Sequence, residues 1–394
     1  MAKLFLSICC TLFISYAQAY GNNDSLVTIL LQKICGLQTQ ADKRYFPDGI
    51  FPAYRQYHKN ERQIKPDDNI FYNGLIVYTL NQFLPAYTPE QRQLVQSVHA
   101  KTEQAAWQYR NLKGKGTFNF WKTHPKKVFP NSGWINWLDN INALPDDMDD
   151  TVMMLMALRK NKDTAAAMHQ YMQGFANGGK KRIQNTFSHY QNLPAYSTWF
   201  GVKMPIDFDA CVMSNVLLFV QQYQLPLTRH DSASLQFITT VIDRNEHLHH
   251  ASYIAPHYAT PAIVMYHISR LMAVKPLPAL ENRKSELVRQ TDSLLQNATG
   301  VMEQILLSNA LLRWGVKPAN TTLLQENWMK QLAENDEPFF IANMASMAKN
   351  PFKNWIGNTG IGKFYYYCPA YNYTLFLEHL FLYNGYQPAS ISAN

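Results

Sequence analysis

The chain has 394 residues, of which 47% are hydrophobic and 16% are charged, which is enough apolar material for a large buried core. The formal net charge is +8, but the basic residues are scattered along the chain, so we expect no nucleic-acid partner. Five cysteines are present, and only three of them lie beyond residue 19, which excludes a disulfide-rich scaffold.

The first nineteen residues have the pattern of an export signal. Lys3 supplies a positive charge, residues 4–16 are apolar, and residues 17–19 (Ala-Gln-Ala) resemble a cleavage site. This apolar stretch is shorter than the roughly 20 residues that a membrane-spanning helix needs, and no later segment is long and apolar enough. We therefore predict a signal peptide over residues 1–19, a single domain over residues 20–394, a periplasmic or secreted location and no membrane span.

Beyond the signal, a pair of helices recurs along the chain: a more polar, amphipathic helix and then an almost wholly apolar one. We expect the polar helices at about residues 24–40, 89–110, 163–176, 230–243, 280–297 and 320–334. We expect the apolar helices to begin near Asp68, Asp150, Asp209, Tyr258, Gly300 and Pro369. Thr88 and Pro89 form a clear start signal, because a capping hydroxyl precedes proline at the first helical position.

Six apolar helices that alternate with six half-exposed ones predict an all-α fold, an (α/α)6 toroid with six inner and six outer helices. The inner helices would be parallel, with their N-termini at one end. The aspartates at these starts would then meet at one mouth of the central cavity: Asp67, Asp68, Asp147, Asp149, Asp150, Asp207 and Asp209. No strand-like alternation persists, so we expect no sheet. We expect irregular loops at residues 42–66, 111–145, 183–206 and 335–368.

Four aspartates occupy five consecutive positions before the apolar run 151–158: Asp146, Asp147, Asp149 and Asp150. Carboxylates at the start of a buried helix are costly to ionise, and neighbouring like charges raise one another's pKa. A carboxylic acid that stays protonated beside an apolar space is a candidate general acid. The alternative interpretation is an acidic N-cap, which the helix dipole favours.

The predicted loops are rich in aromatic residues, which would wall a pocket if the loops fold over the acidic mouth. They include Phe118, Phe120, Trp121, Trp134, Trp137, Tyr196, Trp199, Phe200, Trp355 and the run 364–367. Such walls suit a hydrocarbon cation through cation–π attraction, and they also suit a sugar ring through stacking. Alternatively, these residues only pack the loops onto the helices. The residues that we expect to bind the substrate are Trp121, Trp199, Tyr366, Asp68 and Asp209.

The segment Asp147-Met148-Asp149-Asp150-Thr151 resembles the DxDD(T) motif of class II terpene cyclases, the squalene-hopene and copalyl-diphosphate type. This resemblance implies an α-toroid with apolar inner helices. It also implies that Asp149 protonates an alkene or an epoxide, while Asp147 and Asp150 tune and orient it. We therefore expect Asp149 to start the carbocation cyclisation of an isoprenoid or lipid substrate, with no cofactor and no metal in the acid step.

The same cluster contains a DDxxD pattern, formed by Asp146, Asp147 and Asp150, which resembles the magnesium-diphosphate motif of class I terpene synthases. The partner motif that usually accompanies it is missing from the chain.

A third resemblance involves zinc. Asp209 and Cys211 resemble the Asp-x-Cys motif of protein prenyltransferase β-subunits, for which His257 or His267 could serve as the later ligand. The alternative is a cysteine buried in the core. A histidine-rich stretch precedes the fourth apolar helix and contains His247, His249, His250 and His257. It favours either a metal site or a solvated loop.

Two other functions stay open. A cell-envelope (α/α)6 hydrolase or lyase would cleave a glycosidic bond with paired acids, one from Asp149 or Asp150 and one from Asp68 or Asp209. A non-catalytic toroid would bind a lipid or a glycan, and its acids would only cap helices. The cavity discriminates these possibilities: apolar walls favour the isoprenoid, polar walls favour the glycan, and a filled core favours the non-catalytic protein.

Overall fold

The computed structural model describes residues 23–57, 64–127, 130–131, 144–201, 204–318, 328–334, 337–357 and 359–390. The predicted signal peptide and two of the predicted wall residues, Trp134 and Trp137, lie outside these ranges. Within the described residues, Cys35, Cys211 and Cys368 form no disulfide bond. Among the helices of the described residues, none combines the length and the apolar character that crossing a membrane requires.

Helices dominate the described chain. In chain order they are α1 (Asn23–Thr39), α2 (Phe71–Gln82), α3 (Pro89–Ala106), α4 (Met148–Ala157), α5 (Lys162–Met172), α6 (Ala210–Gln222), α7 (Arg229–Asp243), α8 (Glu246–His249), α9 (Ala251–Ile254), α10 (Pro261–Val274), α11 (Pro278–Glu281), α12 (Lys284–Asn297), α13 (Val301–Arg313), α14 (Trp328–Glu334), α15 (Phe352–Gly357) and α16 (Pro369–Tyr383). The prediction of a helix-rich fold is confirmed.

Six of these helices, α2, α4, α6, α10, α13 and α16, are almost wholly buried. Each packs against the next one in this order, and α16 packs against α2, so the contacts form a closed cycle. A helix that is apolar on all sides has no face to turn to water, which explains why these six form the interior. The apolar run 151–158 is buried as its composition predicts, including Val152, Met153, Leu155 and Met156.

More polar helices cover this cycle from outside. α1 packs on α16 and α3, α3 on α2, α7 on α6, α12 on α13, and α14 on α16. His169 on α5 lies 3.0 Å from the carboxylate of Asp231 on α7, which ties these two outer helices together. Thr88 caps α3 in a capping box, as its sequence predicts.

A four-stranded antiparallel sheet corrects the strictly all-α prediction. Its strands are β1 (Ala53–Tyr57), β2 (Ile64–Asp67), β3 (Phe340–Asn343) and β4 (Lys363–Tyr367), in the order β2-β1-β4-β3. These strands fall largely within two segments for which the sequence predicts irregular loops, residues 42–66 and 335–368. The strands are short, and β1 buries the consecutive polar residues Arg55 and Gln56, so it lacks the alternation that reveals a strand.

The interior of the helix cycle contains buried charge. Arg313 on α13 forms an ion pair with Glu378 on α16, and both side chains are fully buried. Tyr266 on α10 donates a hydrogen bond of 2.7 Å to the same carboxylate. The guanidinium of Arg270 lies 5.5 Å from the ring centre of Tyr266. Two buried arginines thus lie near this one carboxylate, which makes Glu378 important for stability.

Candidate active site

A cleft of about 550 Å³, including its open mouth, lies at the N-terminal end of α4. Most of its lining is aromatic or aliphatic, namely Phe71, Phe120, Trp121, Leu144, Trp199, Val212, Phe340, Ile341, Ala342 and Tyr366, and Thr198 adds one hydroxyl-bearing residue. The polar groups that reach it are Asp147, Asp149, Asp150, His257 and Tyr258. Three predicted substrate-binding residues, Trp121, Trp199 and Tyr366, are therefore part of the lining.

The sheet and the segment before α4 hold the aromatic wall together. Phe340 on β3 stacks on Tyr366 of β4, with ring centres 4.7 Å apart. Phe120 packs edge-on against both rings at 5.5 Å. The indole N–H of Trp121 donates a hydrogen bond of 3.0 Å to Asp67. These mutual contacts give the wall a fixed shape, since each ring is held by another.

Asp147 and Asp150 form a carboxyl pair at the first turn of α4. Asp147 is the N-cap, and its Oδ1 accepts the backbone N–H of Asp150 at 2.6 Å. Burial raises the pKa of Asp147 to about 7. Burial, together with the charge of Asp147, raises the pKa of Asp150 well above its usual range. No N–H or O–H donor of the described residues reaches the Asp150 carboxyl, and its raised pKa favours the form that carries its own proton.

Asp149 is held between two neighbouring elements. Its Oδ1 accepts a hydrogen bond of 2.7 Å from Nδ2 of Asn215 on α6, and its Oδ2 accepts one from the hydroxyl of Tyr258. Burial raises the pKa of Asp149, while these two hydrogen bonds oppose the increase. A carboxyl group offers about four lone-pair sites, so two donors leave room for a proton. Asp149 is therefore an oriented, buried acid on the floor of the cleft.

His257 brings a positive charge to the same floor. Its Nε2 lies 2.8 Å from Oδ2 of Asp207, and the buried ammonium of Lys353 lies 3.7 Å from Oδ1 of Asp207. Burial alone would lower the pKa of His257, but the hydrogen bond and charge of Asp207, with the charge of Asp209, outweigh burial and raise it. The imidazolium in turn lowers the pKa of Asp147 and Asp149. The acids of the floor thus lie near His257, and the charge of Arg270 also lowers the pKa of Asp149.

Asp68 and Asp209 do not line the cleft, in contrast to the expected substrate-binding role. Asp209 caps α6 by accepting the N–H of Cys211 at 2.8 Å, and its other oxygen accepts the N–H of His257 at 2.9 Å. Asp68 is fully buried, about 4 Å from the ammonium groups of Lys122 and Lys127. Burial raises the pKa of each aspartate to about 6. Asp209 therefore serves contacts within the protein, whereas the Asp68 carboxylate accepts no hydrogen bond from the described residues.

The DDxxD acids do not converge. Asp146 accepts hydrogen bonds from Asn111 and Thr117 and lies outside the lining of the cleft, while Asp147 and Asp150 reach it. This geometry does not match a shared magnesium site. The Asp146 carboxylate instead holds Asn111 and Thr117, in the segment that precedes Phe120 and Trp121 of the aromatic wall.

The proposed zinc ligands are not arranged around a common point either. Burial raises the pKa of the Cys211 thiol well above its usual range, so this residue stays protonated in the core. His267 is 2.8 Å from the carbonyl of Ile263 in its own helix. His247, from the histidine-rich stretch, bonds to Gln290 at 2.7 Å. Within the described residues, no group of three or more His, Cys, Asp and Glu side chains is placed to hold a metal ion.

Sequence reasoning missed the groups that orient the acids. Asn215 is a polar residue inside an otherwise apolar helix, and this contrast is the signal that could have identified it. In the sequence, His257 stands out only as a possible metal ligand, and Tyr258 stands out only as the predicted start of an apolar helix. Nothing in the sequence distinguishes Lys353, because it lies in the predicted irregular loop at residues 335–368.

Comparisons with protein-family models, with curated proteins and with solved structures give no match for this chain. The function of the cleft must therefore be inferred from its own residues and their chemistry.

Proposed function

We propose that the protein is an (α/α)6 toroid enzyme that resembles class II terpene cyclases, with Asp149 as the general acid that starts cyclisation of an isoprenoid. The observation that carries this proposal is the presence of buried carboxyl groups on the floor of an otherwise aromatic cleft. The closed cycle of six buried helices, covered by more polar ones, supports the toroid. The three acids at the start of α4 are those whose spacing resembles the DxDD motif, and all three line a largely apolar cleft.

The proposed first step is a proton transfer from the carboxyl group of Asp149 to an alkene carbon. The O–H bond breaks, a C–H bond forms from the alkene electron pair, and the neighbouring carbon becomes a cation. The electron pair of a second alkene then forms a C–C bond and closes a ring. Transfer of a proton from the last cation to the Asp149 carboxylate or to water gives a cyclic isomer of the substrate, whereas addition of water to the cation, followed by transfer of the extra proton to the same acceptors, gives its hydrate.

The walls of the cleft suit such a cation. The rings of Phe71, Phe120 and Phe340 present electron-rich faces and contain no nucleophilic atom that would trap the cation. The buried indole N–H of Trp199 has no acceptor among the described residues. Because Trp199 lines the cleft, a modest movement of its ring would bring this N–H to an oxygen atom of the substrate, such as that of a hydroxyl or an epoxide.

The floor supports both protonation states of Asp149. Before the transfer, burial favours the protonated form. After the transfer, Asn215 and Tyr258 donate to the new carboxylate, and the imidazolium of His257 stabilises it electrostatically. The proton held by Asp150 keeps a second negative charge away from this carboxylate.

The glycan alternative fits the cleft less well. A hydrolase would need a second acid across the bound sugar, and the two candidates, Asp68 and Asp209, lie outside the lining. The largely aromatic and aliphatic wall also offers few partners for sugar hydroxyls. Export of the protein stays a prediction from residues 1–19, which lie outside the described ranges.

The proposal can be tested with a panel of linear isoprenoids, namely squalene, 2,3-oxidosqualene, farnesol, geranylgeraniol and the corresponding prenyl diphosphates. Each is incubated with the purified protein, and products are analysed by gas chromatography with mass detection. We expect a cyclic isomer or hydrate from at least one substrate, and none with Asp149→Asn. Absence of any isomer or hydrate, together with release of reducing sugar from an envelope glycan, would favour the glycan hydrolase instead.

A further inference from the structure

A second cavity lies beside the cleft and has no part in the proposed function. It has a volume of about 1240 Å³, including space open to solvent, and lies at the N-terminal ends of α10 and α13. Its apolar surface includes Ile263, Met302, Leu306 and Leu375. The cavity is therefore large enough to hold part of a hydrocarbon chain against this apolar surface, although its lining also includes the charged residues Glu303, Glu337 and Lys363.

One strand separates the two spaces. Along β3 the side chains alternate, so Phe340 and Ala342 line the cleft, while Phe339 lines the second cavity. Ile341 lines both spaces and is only 5% exposed. The wall between the cleft and the second cavity is therefore a single residue thick at Ile341.

Ile341 is fixed in place by the backbone and by its aromatic neighbours. Its N–H donates a hydrogen bond of 2.7 Å to the carbonyl of His257, at the floor of the cleft. Phe340 is held by its stack on Tyr366, and Phe339 packs edge-on against Tyr371 with ring centres 4.7 Å apart. The volume of the Ile341 side chain can therefore change while the rings on both sides keep their positions.

We propose that Ile341 is a specificity-determining residue that closes the cleft against the second cavity and so limits the length of the apolar chain that binds. This inference rests on the proposed function in one respect, that the cleft accepts an isoprenoid chain. Replacing isoleucine by alanine removes three carbon atoms from the wall and joins the two spaces. A longer chain then reaches apolar surface that is closed to it in the wild-type protein, and each additional buried methylene strengthens binding several-fold.

The test uses geraniol, farnesol and geranylgeraniol, which carry 10, 15 and 20 carbon atoms. Their dissociation constants are measured through quenching of tryptophan fluorescence, since Trp121 and Trp199 line the cleft. In Ile341→Ala we expect the preference for geranylgeraniol over geraniol to increase at least tenfold relative to the wild type, which is about 1.4 kcal/mol. In Ile341→Phe, which thickens the wall, we expect that preference to decrease.

Ile361→Ala is the matched control, because Ile361 is 63% exposed and lines neither space. An unchanged preference in both Ile341 variants, with melting temperatures and circular dichroism that show folded protein, would overturn the proposal. Failure of all three alcohols to bind any variant would overturn it as well. Asp149→Asn separates this inference from the proposed reaction, because this variant lacks the proposed acid. Its preference for geranylgeraniol over geraniol depends only on the walls of the cleft and the second cavity, whether or not the wild type cyclises a substrate.

Discussion

Asn215 on α6 donates a hydrogen bond of 2.7 Å to Asp149 at the start of α4, so the acid is tied to the next buried helix of the cycle. Tyr258, which precedes α10, holds the other carboxyl oxygen. Elements from three consecutive members of the helix cycle therefore meet at a single side chain. The direction of the Asp149 carboxyl is set by the packing of these helices and not by a flexible loop, which is what an oriented acid needs.

Tyr258→Phe should change how activity depends on pH. The Tyr258 hydrogen bond opposes the rise that burial causes in the pKa of Asp149, so removing the hydroxyl should raise this pKa further. A general acid acts while protonated, and the decline of kcat/KM at high pH should therefore shift to higher pH. We also expect roughly a tenfold loss of kcat, because one hydrogen bond to the developing carboxylate is gone.

Tyr253→Phe is the control for this change. Tyr253 bonds to Asn350 at 3.0 Å and does not line the cleft. An identical pH profile in Tyr258→Phe and the wild type would show that this hydroxyl does not act on the catalytic acid.

Asp150→Asn should stabilise the protein at high pH. In the folded state burial and the charge of Asp147 raise the pKa of Asp150 well above its ordinary value of 3.8. Above that value the folded state keeps a proton that the unfolded state releases, so the free energy of unfolding of the wild type falls as pH increases, by at most about 1.4 kcal/mol per pH unit. Asparagine is neutral in both the folded and the unfolded state, so the free energy of unfolding of the variant does not fall in this way. Urea unfolding at pH 4, 6 and 8 should show a free energy of unfolding that is higher for the variant than for the wild type, by a difference that grows with pH.

Asp163→Asn, at an exposed position in the first turn of α5, provides the comparison. If the stability difference between Asp150→Asn and the wild type were the same at all three pH values, Asp150 would not be the group that takes up the proton.

Leu155→Ala should destabilise the protein by about 2–5 kcal/mol, as expected for truncation of a buried leucine. Leu155 is 3% exposed in the middle of α4. Leu112→Ala is the matched control, since Leu112 is 70% exposed and its loss should cost less than about 0.5 kcal/mol. Urea unfolding measures both, and equal effects would contradict the placement of α4 in the interior.

Glu378→Gln should destabilise the protein by about 3–5 kcal/mol, because it leaves the buried guanidinium of Arg313 without its counter-charge. Glu334→Gln removes the acid of an exposed pair with Lys330, where the expected cost is about 0–1 kcal/mol. Thermal unfolding of the two variants compares an interior ion pair with a surface one. A Glu378→Gln protein as stable as Glu334→Gln would show that the interior pair contributes nothing.

The buried helices could be predicted from the sequence because their physical signal is strong and local. A helix that is covered on all sides is apolar throughout, and each of the six begins within three residues of its predicted start. The sheet gave no comparable signal. Arg55 in β1 is buried because it pairs with Asp67 at 2.7 Å, so a polar residue stands where an apolar one would reveal the strand.

The site could be predicted only in part for a related reason. The acids of α4 and the wall residues Trp121, Trp199 and Tyr366 stand out by residue type and by position relative to a buried helix. The partners of Asp149 lie 66 and 109 residues away in the chain. Such contacts depend on which helices become neighbours, and no local pattern encodes that. The sequence allowed Asp209 as a helix cap, but it did not indicate the hydrogen bond from His257, which lies 48 residues away.

The most direct test of the proposed catalysis is product formation in deuterium oxide, compared between the wild type and Asp149→Asn. If Asp149 delivers the initiating proton, its carboxyl exchanges with the solvent, and the cyclic product of the wild type carries one deuterium at the carbon that was protonated. We expect Asp149→Asn to remain folded, since asparagine keeps the shape of the side chain, and to form product about 10²–10⁴ times more slowly. A product without deuterium, or an Asp149→Asn protein that works at the wild-type rate, would contradict the central claim.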